Sequence, residues 1–304
     1  MISRPYHSHV DMEAMIQLLQ TVRPRQFISD YPSVLDLREL ISLPDRQIST
    51  LLWESDEGQL AGFALVDSAN NLLFEINPDA ASPEIEEQVV AWGMRCIAQG
   101  YNGHRGYAAL DACCRSENIA RMAFLEKHGF VRVPGESVTM VRSLADPIPS
   151  PSLPSGFVIR PVAGEQEVES YVALHQAAFA TRNMTVEYRL AIMRNPDYQP
   201  ELDLVAVAPD GALAALCVCQ IHPETIGHSG SLHGLTDPVA THPFYRRRGL
   251  AKALLLTGLG LLKQRSLETA QLSTNGDNAP MMHTARAAGF STDSTIYWYS
   301  KAAY

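Results

Sequence analysis

A chain of 304 residues, with 46% hydrophobic and 19% charged side chains, has the make-up of a soluble globular protein and the length for two domains of ordinary size. Its formal net charge of −9 argues against a general affinity for nucleic acid or anionic membrane, because both need a basic surface. The five cysteines (Cys96, Cys113, Cys114, Cys217, Cys219) form no C-x-x-C pair, so they signal no metal site and read as buried thiols of a cytoplasmic protein.

From the N-terminus, a short strand ending in Arg4-Pro5 precedes an amphipathic helix over residues 12–19. A strand–turn–strand follows, residues 51–54 and 60–66 around Gly58, and later Asn118, a helix and Gly129-Phe130. Residues 145–156 hold four prolines in twelve positions, which no helix or central strand tolerates, and read as a linker between domains 1–144 and 157–304. The order then repeats. Arg160-Pro161 precedes a helix over residues 168–179, and strands 204–208 and 213–219 flank Gly211. Asn278 leads through a helix to Gly289-Phe290 with the same spacing of 11 found between Asn118 and Gly129. This is an internal duplication, and the order β-α-α-β-β-β-α-β-α-β in each half predicts an α/β (α+β) fold with a mixed, mainly antiparallel sheet. The N-terminus shows no signal-peptide core, and the longest apolar run, residues 250–262, falls short of the roughly 18–20 residues of a membrane span.

The chemistry concentrates between Asp237 and Leu254. An apolar strand (Val239, Ala240, Thr241) enters a basic turn, Arg246-Arg247-Arg248-Gly249, which opens a helix beginning Leu250-Ala251-Lys252. The first amides of a helix lack intrahelical partners and carry the positive end of its dipole, so they form an anion site. Gly249 lets the backbone approach a phosphate, and the arginines add charge. Three arginines without interleaved aromatics are too few for a nucleic-acid surface.

Arg246-x-x-Gly249-x-Ala251, after that strand, is similar to the Q/R-x-x-G-x-G/A signature of the GNAT superfamily of N-acetyltransferases, in its tandem two-domain type. The resemblance covers residues 156–304 and extends weakly to 1–144. It implies that the turn (Arg246, Arg247, Arg248, Gly249, Leu250, Ala251, Lys252) holds the diphosphate of acetyl-CoA. It further implies that Val239, Ala240 and Thr241 pair with the pantetheine arm, and that Asn278 opens a second cofactor-contacting segment. The implied reaction is direct attack of an amine, most simply that of a small molecule, on the thioester in a ternary complex. That reaction needs a base and a proton donor for the leaving thiolate. Asp237 is the candidate base, on a strand face it shares with 235 and 239 by the period of two, and His233 is the alternative; an Asp before Pro also serves to shape a turn.

The tyrosine that usually acts as the acid is replaced by Ala285, and in the first half by Leu125. Either another group protonates the thiolate, with His283 and Ser273 as candidates, or the thiolate leaves unassisted; Tyr297 and Tyr299 either line the cleft or pack the sheet. The acceptor would lie against residues 171–198, where Phe179, Arg182, Tyr188 and Tyr198 stand. In the first half, residues 81–86 align with 246–251 and carry Glu84 and Glu86 but no arginine, which predicts a degenerate domain that has lost the cofactor. Two other functions remain open: acetylation of a protein or peptide amine, and a non-catalytic acyl-CoA sensor.

Overall fold

In the computed structural model, which describes residues 1–24, 27, 30–100, 109–221 and 233–303 (for Asp45 the backbone alone), the two halves of the sequence run through the same succession of elements apart from one extra short helix, α3, in the first. The first has β1 (Ile2–Pro5), α1 (His9–Val22), α2 (Val34–Ile41), α3 (Pro44–Ile48), β2 (Thr50–Glu54), β3 (Leu60–Val66), β4 (Leu72–Ile76), α4 (Pro83–Gln99), β5 (Ala109–Arg115), α5 (Ile119–Lys127) and β6 (Val131–Ser143). The second has β7 (Val158–Pro161), α6 (Val168–Phe179), α7 (Val186–Met193), β8 (Asp203–Val207), β9 (Leu213–Ile221), β10 (His233–Thr241), α8 (Leu250–Gln264), β11 (Thr269–Asn275), α9 (Ala279–Ala287) and β12 (Ser291–Ala302).

The compact units differ from the contiguous halves expected on either side of the proline-rich segment. Unit 1 comprises Met1–Glu136 and Thr295–Tyr304, and unit 2 comprises Ser137–Ser294. Each unit thus takes its last strand from the other half of the sequence. In unit 1, β1, β2, β3 and β4 are antiparallel neighbours, and β5 pairs antiparallel with residues 296–302 of β12. In unit 2, β7, β8, β9 and β10 are antiparallel, β10 and β11 are parallel, and β11 pairs antiparallel with residues 137–143 of β6. A parallel neighbour inside an antiparallel sheet requires a crossover, which α8 supplies. The fold is the mixed, mainly antiparallel α/β arrangement expected.

The exchanged strands also fasten the helix that precedes each Gly-Phe. In unit 2, Arg142 of β6 donates from Nη1 to the carbonyl of Ala288, just past α9, and from Nη2 to Pro147 O at 2.8 Å. In unit 1, Lys301 of β12 donates from Nζ to His128 O, just past α5, at 2.8 Å. A cation at a helix C-terminus satisfies an orphan carbonyl and the negative end of the dipole. Gly289, at φ +91°, leaves room for this: a Cβ there would collide with the Arg142 guanidinium. The proline-rich segment is held as well, since Lys263 donates to Ala145 O and Asp146 O and Ile148 and Leu153 pack on the core of unit 2.

A further repeated feature begins at the two Arg-Pro steps. Arg4 bonds Asp11 at 2.7 Å and Arg160 bonds Glu167 at 2.8 Å, each acid seven residues on; the other carboxylate oxygen of Asp11 accepts from His7 N, and Glu167 accepts from Ala163 N, both at 2.7 Å. The arginine hydrogen bond, ahead of the other causes, holds each carboxyl below its ordinary range. Unit 2 has a core on each face of its sheet. Leu254, Leu255, Leu259 and Leu262 of α8 meet Leu204, Ala206, Cys217 and Cys219 on one face, while Tyr171 and Leu174 of α6 meet Val205, Leu216 and Ala240 on the other.

A fragment starting at Gly156 lacks β6, which bares the edge of β11 and removes the Arg142 cap of α9. We expect it to show no cooperative thermal transition by circular dichroism; a sharp melt near that of the full chain would contradict the exchange.

Candidate functional site

The pairing of β10 with β11 comprises His233↔Thr269, Gly234↔Ala270 and Leu235↔Gln271, and ends there. β10 continues along β9 through Val239↔Cys217, Ala240↔Leu216 and Thr241↔Ala215, while β11 continues along β6 to Asn275↔Ser137. The two strands therefore part after Leu235, and the ladder groups of residues 239–241 on that side have no β11 partner. A bulge between Thr236 and Val239, containing the cis Asp237–Pro238 bond, marks the parting point.

The bulge corrects the expected strand face. Thr236 lies opposite Cys219 and Val239 opposite Cys217, and these two thiols share one face with sulfurs 3.9 Å apart. Thr236 and Val239 therefore share the α8 face, and Leu235 lies on the opposite face from Val239. The extra residue shifts the period of two, so Asp237 sits half-buried within the bulge itself. Its charge reaches Cys217, whose thiol is raised first by the Cys219 contact and by burial. His233 lies in the closed, paired part of the strand, with Nδ1 against the Thr269 hydroxyl.

At the far end of β10, His242 Nδ1 accepts from Phe244 N at 3.3 Å and shapes a turn over Pro243–Tyr245. Gly249 caps α8 in the left-handed region, φ +81°, with no side-chain cap, and the first intrahelical bond runs from Ala253 N to Gly249 O at 3.0 Å. The amides of Leu250, Ala251 and Lys252 accordingly have no intrahelical acceptor. The arginines divide their work. Arg246 donates from Nε to Thr241 O at 3.3 Å and from Nη2 to Ala178 O at 3.0 Å, tying the turn to the end of α6. Arg247 and Arg248 are exposed, the latter 5.6 Å from the Tyr245 ring centroid, and Lys252 is exposed one turn into α8. An anionic ligand would meet these two guanidiniums and the helix N-terminus together.

Other expected site residues lie on α9, β11 and β12. Asn278 is the N-cap of α9: its Oδ1 accepts from Met281 N at 3.2 Å and its Nδ2 donates to Thr274 Oγ1 at 3.2 Å. His283 is exposed on α9, and Ser273 contacts Thr139 of β6 at 3.4 Å. Tyr297 and Tyr299 belong to unit 1, where Tyr299 is buried in the core and Arg132 covers the Tyr297 ring at 3.5 Å. Ala285 is fully buried in the core of unit 2.

Sequence reading missed a buried polar cluster between α6, α7 and β8. Arg189 and Asp203, both 1% exposed, form an ion pair, and Tyr198 donates to Asp203 Oδ2 at 2.6 Å. The Arg189 guanidinium lies 3.7 Å from the centroid of the buried Tyr171 ring. Three polar atoms here are buried without a hydrogen-bond partner among the described residues: Arg189 Nε, Asp203 Oδ1 and His175 Nδ1. Asp203 opening an apolar strand was the only available signal, and nothing local to Arg189 identifies its partner.

Residues 168–290 match the profile of the acetyltransferase (GNAT) family. The chain carries a GNAT domain. It is 27% identical over 240 residues to a mycothiol acetyltransferase from Arthrobacter sp. (strain FB24), covering 76% of this chain and 71% of the relative. A mycothiol acetyltransferase from Saccharomonospora viridis is 27% identical over 269 residues, 83% of each chain. These relatives and the GNAT domain make the protein an N-acetyltransferase. Among solved structures, a tandem GNAT protein from the clavulanic acid biosynthesis pathway aligns with a TM-score of 0.71 at 17% identity, covering 100% of this chain and 98% of that one. A GCN5-related N-acetyltransferase from Sphaerobacter thermophilus aligns with a TM-score of 0.68 at 22% identity, covering 99% and 95%. These two likenesses show the fold. Among the described residues no helix is long and apolar enough to cross a membrane.

Replacing one partner of the buried ion pair leaves a bare charge in the core. Arg189→Met is expected to destabilise the protein by about 3–5 kcal/mol in urea unfolding, and pairing it with Asp203→Leu should recover much of that loss. A single variant of wild-type stability would contradict the burial of the pair.

Proposed function

We propose that unit 2 moves an acetyl group from acetyl-CoA to a primary amine of a small molecule, by direct attack in a ternary complex. The observation that carries this reading is the coincidence, on one strand, of the parting of β10 from β11 with the Gly249 helix N-terminus and its exposed arginines. A carrier with a peptide-like arm and a diphosphate finds complementary groups at both places. Residues 239–241 would pair with the arm. The amides of Leu250, Ala251 and Lys252, with Arg247 and Arg248, would take the diphosphate, and Arg246 would hold the turn in place. When bound, acetyl-CoA supplies the activated acyl group. The relatives are named for acetyl transfer and for mycothiol, a small molecule rather than a protein, which supports a small acceptor.

Asp237 is the base in this reading. Its position in the bulge at which the strands part supports this reading, and holding the reactants in register there would supply much of the rate. With Ala285 where the family has its tyrosine, the thiolate leaves without a donor from that position, which a simple thiol pKa of about 8.5 allows. The same alanine favours a second reading, an acyl-CoA-binding sensor without turnover.

Unit 1, in this proposal, binds no cofactor. By the alignment of Pro78 with Pro243, Phe74 corresponds to Val239, and its carbonyl already accepts from Arg121 Nη2 at 3.0 Å; by the alignment of Asn118 with Asn278, the residue corresponding to Arg121 in unit 2 is Met281. The N-terminus of α4 is capped by Ser82, which accepts from Ile85 N at 3.4 Å, where α8 has a glycine. Glu86 stands where unit 2 has Ala251, and its carboxylate is engaged by Lys127 Nζ at 2.6 Å and His128 Nε2 at 3.0 Å, contacts that hold its pKa low.

Isothermal titration with acetyl-CoA is expected to give one site per chain, and Arg248→Glu combined with Gly249→Glu to abolish it. Two sites would overturn the assignment of unit 1, and binding retained by the double variant would overturn that of the turn. In an acceptor assay, Asp237→Asn should flatten the rising limb of the pH–rate profile; an unchanged profile removes Asp237 as base, and binding without turnover across an amine panel selects the sensor.

A further inference from the structure

β4 and β5 part in unit 1 as β10 and β11 do in unit 2. Among the described residues they pair at the single parallel bridge Asn71↔Asp111, beyond which β4 follows β3 and β5 follows residues 296–302 of β12. The ladders on the other side have the same register. Asn77 N donates to Ala61 O at 2.8 Å as His242 N does to Ala214 O at 2.9 Å, and Phe74 lies opposite Ala64 as Val239 lies opposite Cys217. Residues of an antiparallel pair turn alternately toward and away from the partner strand. Val239 and Thr241, like Phe74 and Ile76, therefore turn their backbone N–H and C=O groups into the gap between the parted strands. Side chains already reach two of these carbonyls: Arg246 Nε donates to Thr241 O, and Arg121 Nη2 to Phe74 O. Arg121 also donates to Glu75 Oε1 at 3.4 Å and lies 4.1 Å from the Phe74 ring centroid, so its guanidinium occupies the gap of unit 1.

Arg121 and Met281 hold the same position in their helices. Asn118 Oδ1 accepts from Arg121 N at 3.0 Å, and Asn278 Oδ1 from Met281 N at 3.2 Å. Just past the other end of these nine-residue helices, Phe130 N donates to Leu125 O and Phe290 N to Ala285 O, both at 3.0 Å. Met281 is half-buried and packs, with Val239, against the core on the α8 face of unit 2. A thioether has no N–H, so it cannot engage the Val239 carbonyl as Arg121 engages that of Phe74. We propose that this helix position gates the gap in each unit: Met281 keeps the gap of unit 2 open to a peptide-like arm, and an arginine there shuts it by occupying the carbonyl at which the arm would pair. The inference rests on the acetyl-transfer reading and deepens it by naming a residue that decides cofactor entry. Glu75 corresponds in register to Ala240, so in Met281→Arg the Val239 carbonyl would be the principal acceptor. The effect is one of occupancy and not of charge. Acetyl-CoA is an anion, and a guanidinium beside its path would by attraction alone tighten binding.

Two measurements on the full chain test this. In isothermal titration with acetyl-CoA, Met281→Arg should weaken binding about a hundredfold, the scale of a hydrogen bond to a charged group, while Met281→Leu, which alters the packing but brings no donor, should stay within about threefold of wild type. Binding by Met281→Arg close to that of wild type overturns the proposal, and so does an equal loss in Met281→Leu. A thermal melt by circular dichroism checks that Met281→Arg is folded. The second readout uses the wild type and does not depend on that variant. In 13C NMR of methyl-labelled methionine, the Met281 signal, assigned by its loss in Met281→Leu, should shift on saturation with acetyl-CoA; a signal that stays in place while acetyl-CoA binds overturns the proposal. A wild type that fails to bind acetyl-CoA would overturn the acetyl-transfer reading instead.

Discussion

The structure depends on a reciprocal loan of strands. β11 is closed by residues 137–143, which precede the proline-rich segment, and β5 is closed by residues 296–302 from the other end of the chain. Each loaned strand supplies a ladder edge and a cation for a helix terminus that would otherwise leave a carbonyl unsatisfied beside the core. The glycine of each Gly-Phe step belongs to the same device. It ends the helix in the left-handed region and leaves open the space that the incoming side chain crosses.

On that frame the site arises from a pairing that stops early. Three residues of parallel ladder hold β10 to β11, and the bulge at Asp237–Pro238 then turns the rest of β10 along β9 alone. Backbone groups that a sheet would consume are left beside the N-terminus of α8. Arg246 joins this region to α6 through Ala178 O, so the turn that would hold the diphosphate and the helix that would face the acceptor share one guanidinium. Of three adjacent arginines, one is tied into the fold and two are exposed, a division that their identical chemistry conceals in the sequence.

Periodicity and punctuation made much of this legible. The order of elements, the duplication, the extent of α8 and the glycine at its cap follow from apolar spacing and from Gly, Pro and Asn signals. The exchange was not legible, because an alternating pattern fixes which face of a strand is buried and says nothing about which neighbour it joins. That is why Tyr297 and Tyr299, equally suited to a cleft or a core, pack in unit 1. The bulge defeated the period-of-two argument for residues 235, 237 and 239, since a single inserted residue reverses every face beyond it. Asn278 carried two meanings, cofactor contact and helix cap, and its side chain is engaged as the cap. Arg189 and Asp203 lie fourteen positions apart on different elements, and only the packing of α7 against β8 makes them a pair.

The two units diverged by filling or emptying the same positions. Where unit 2 has Met281 and Ala251, unit 1 has Arg121 and Glu86, and both of these polar side chains are engaged internally. The exchange bears also on the order in which the chain is made. Residues 1–136 leave the ribosome with every element of unit 1 except the strand that closes it, and that strand emerges only after unit 2. The first unit therefore waits, its β5 edge open, through synthesis of the whole second unit, and the two reach their native sheets together instead of one after the other. A duplicated gene built this way cannot shed either copy, whatever becomes of that copy's ligand, because each half retains the piece that completes its twin.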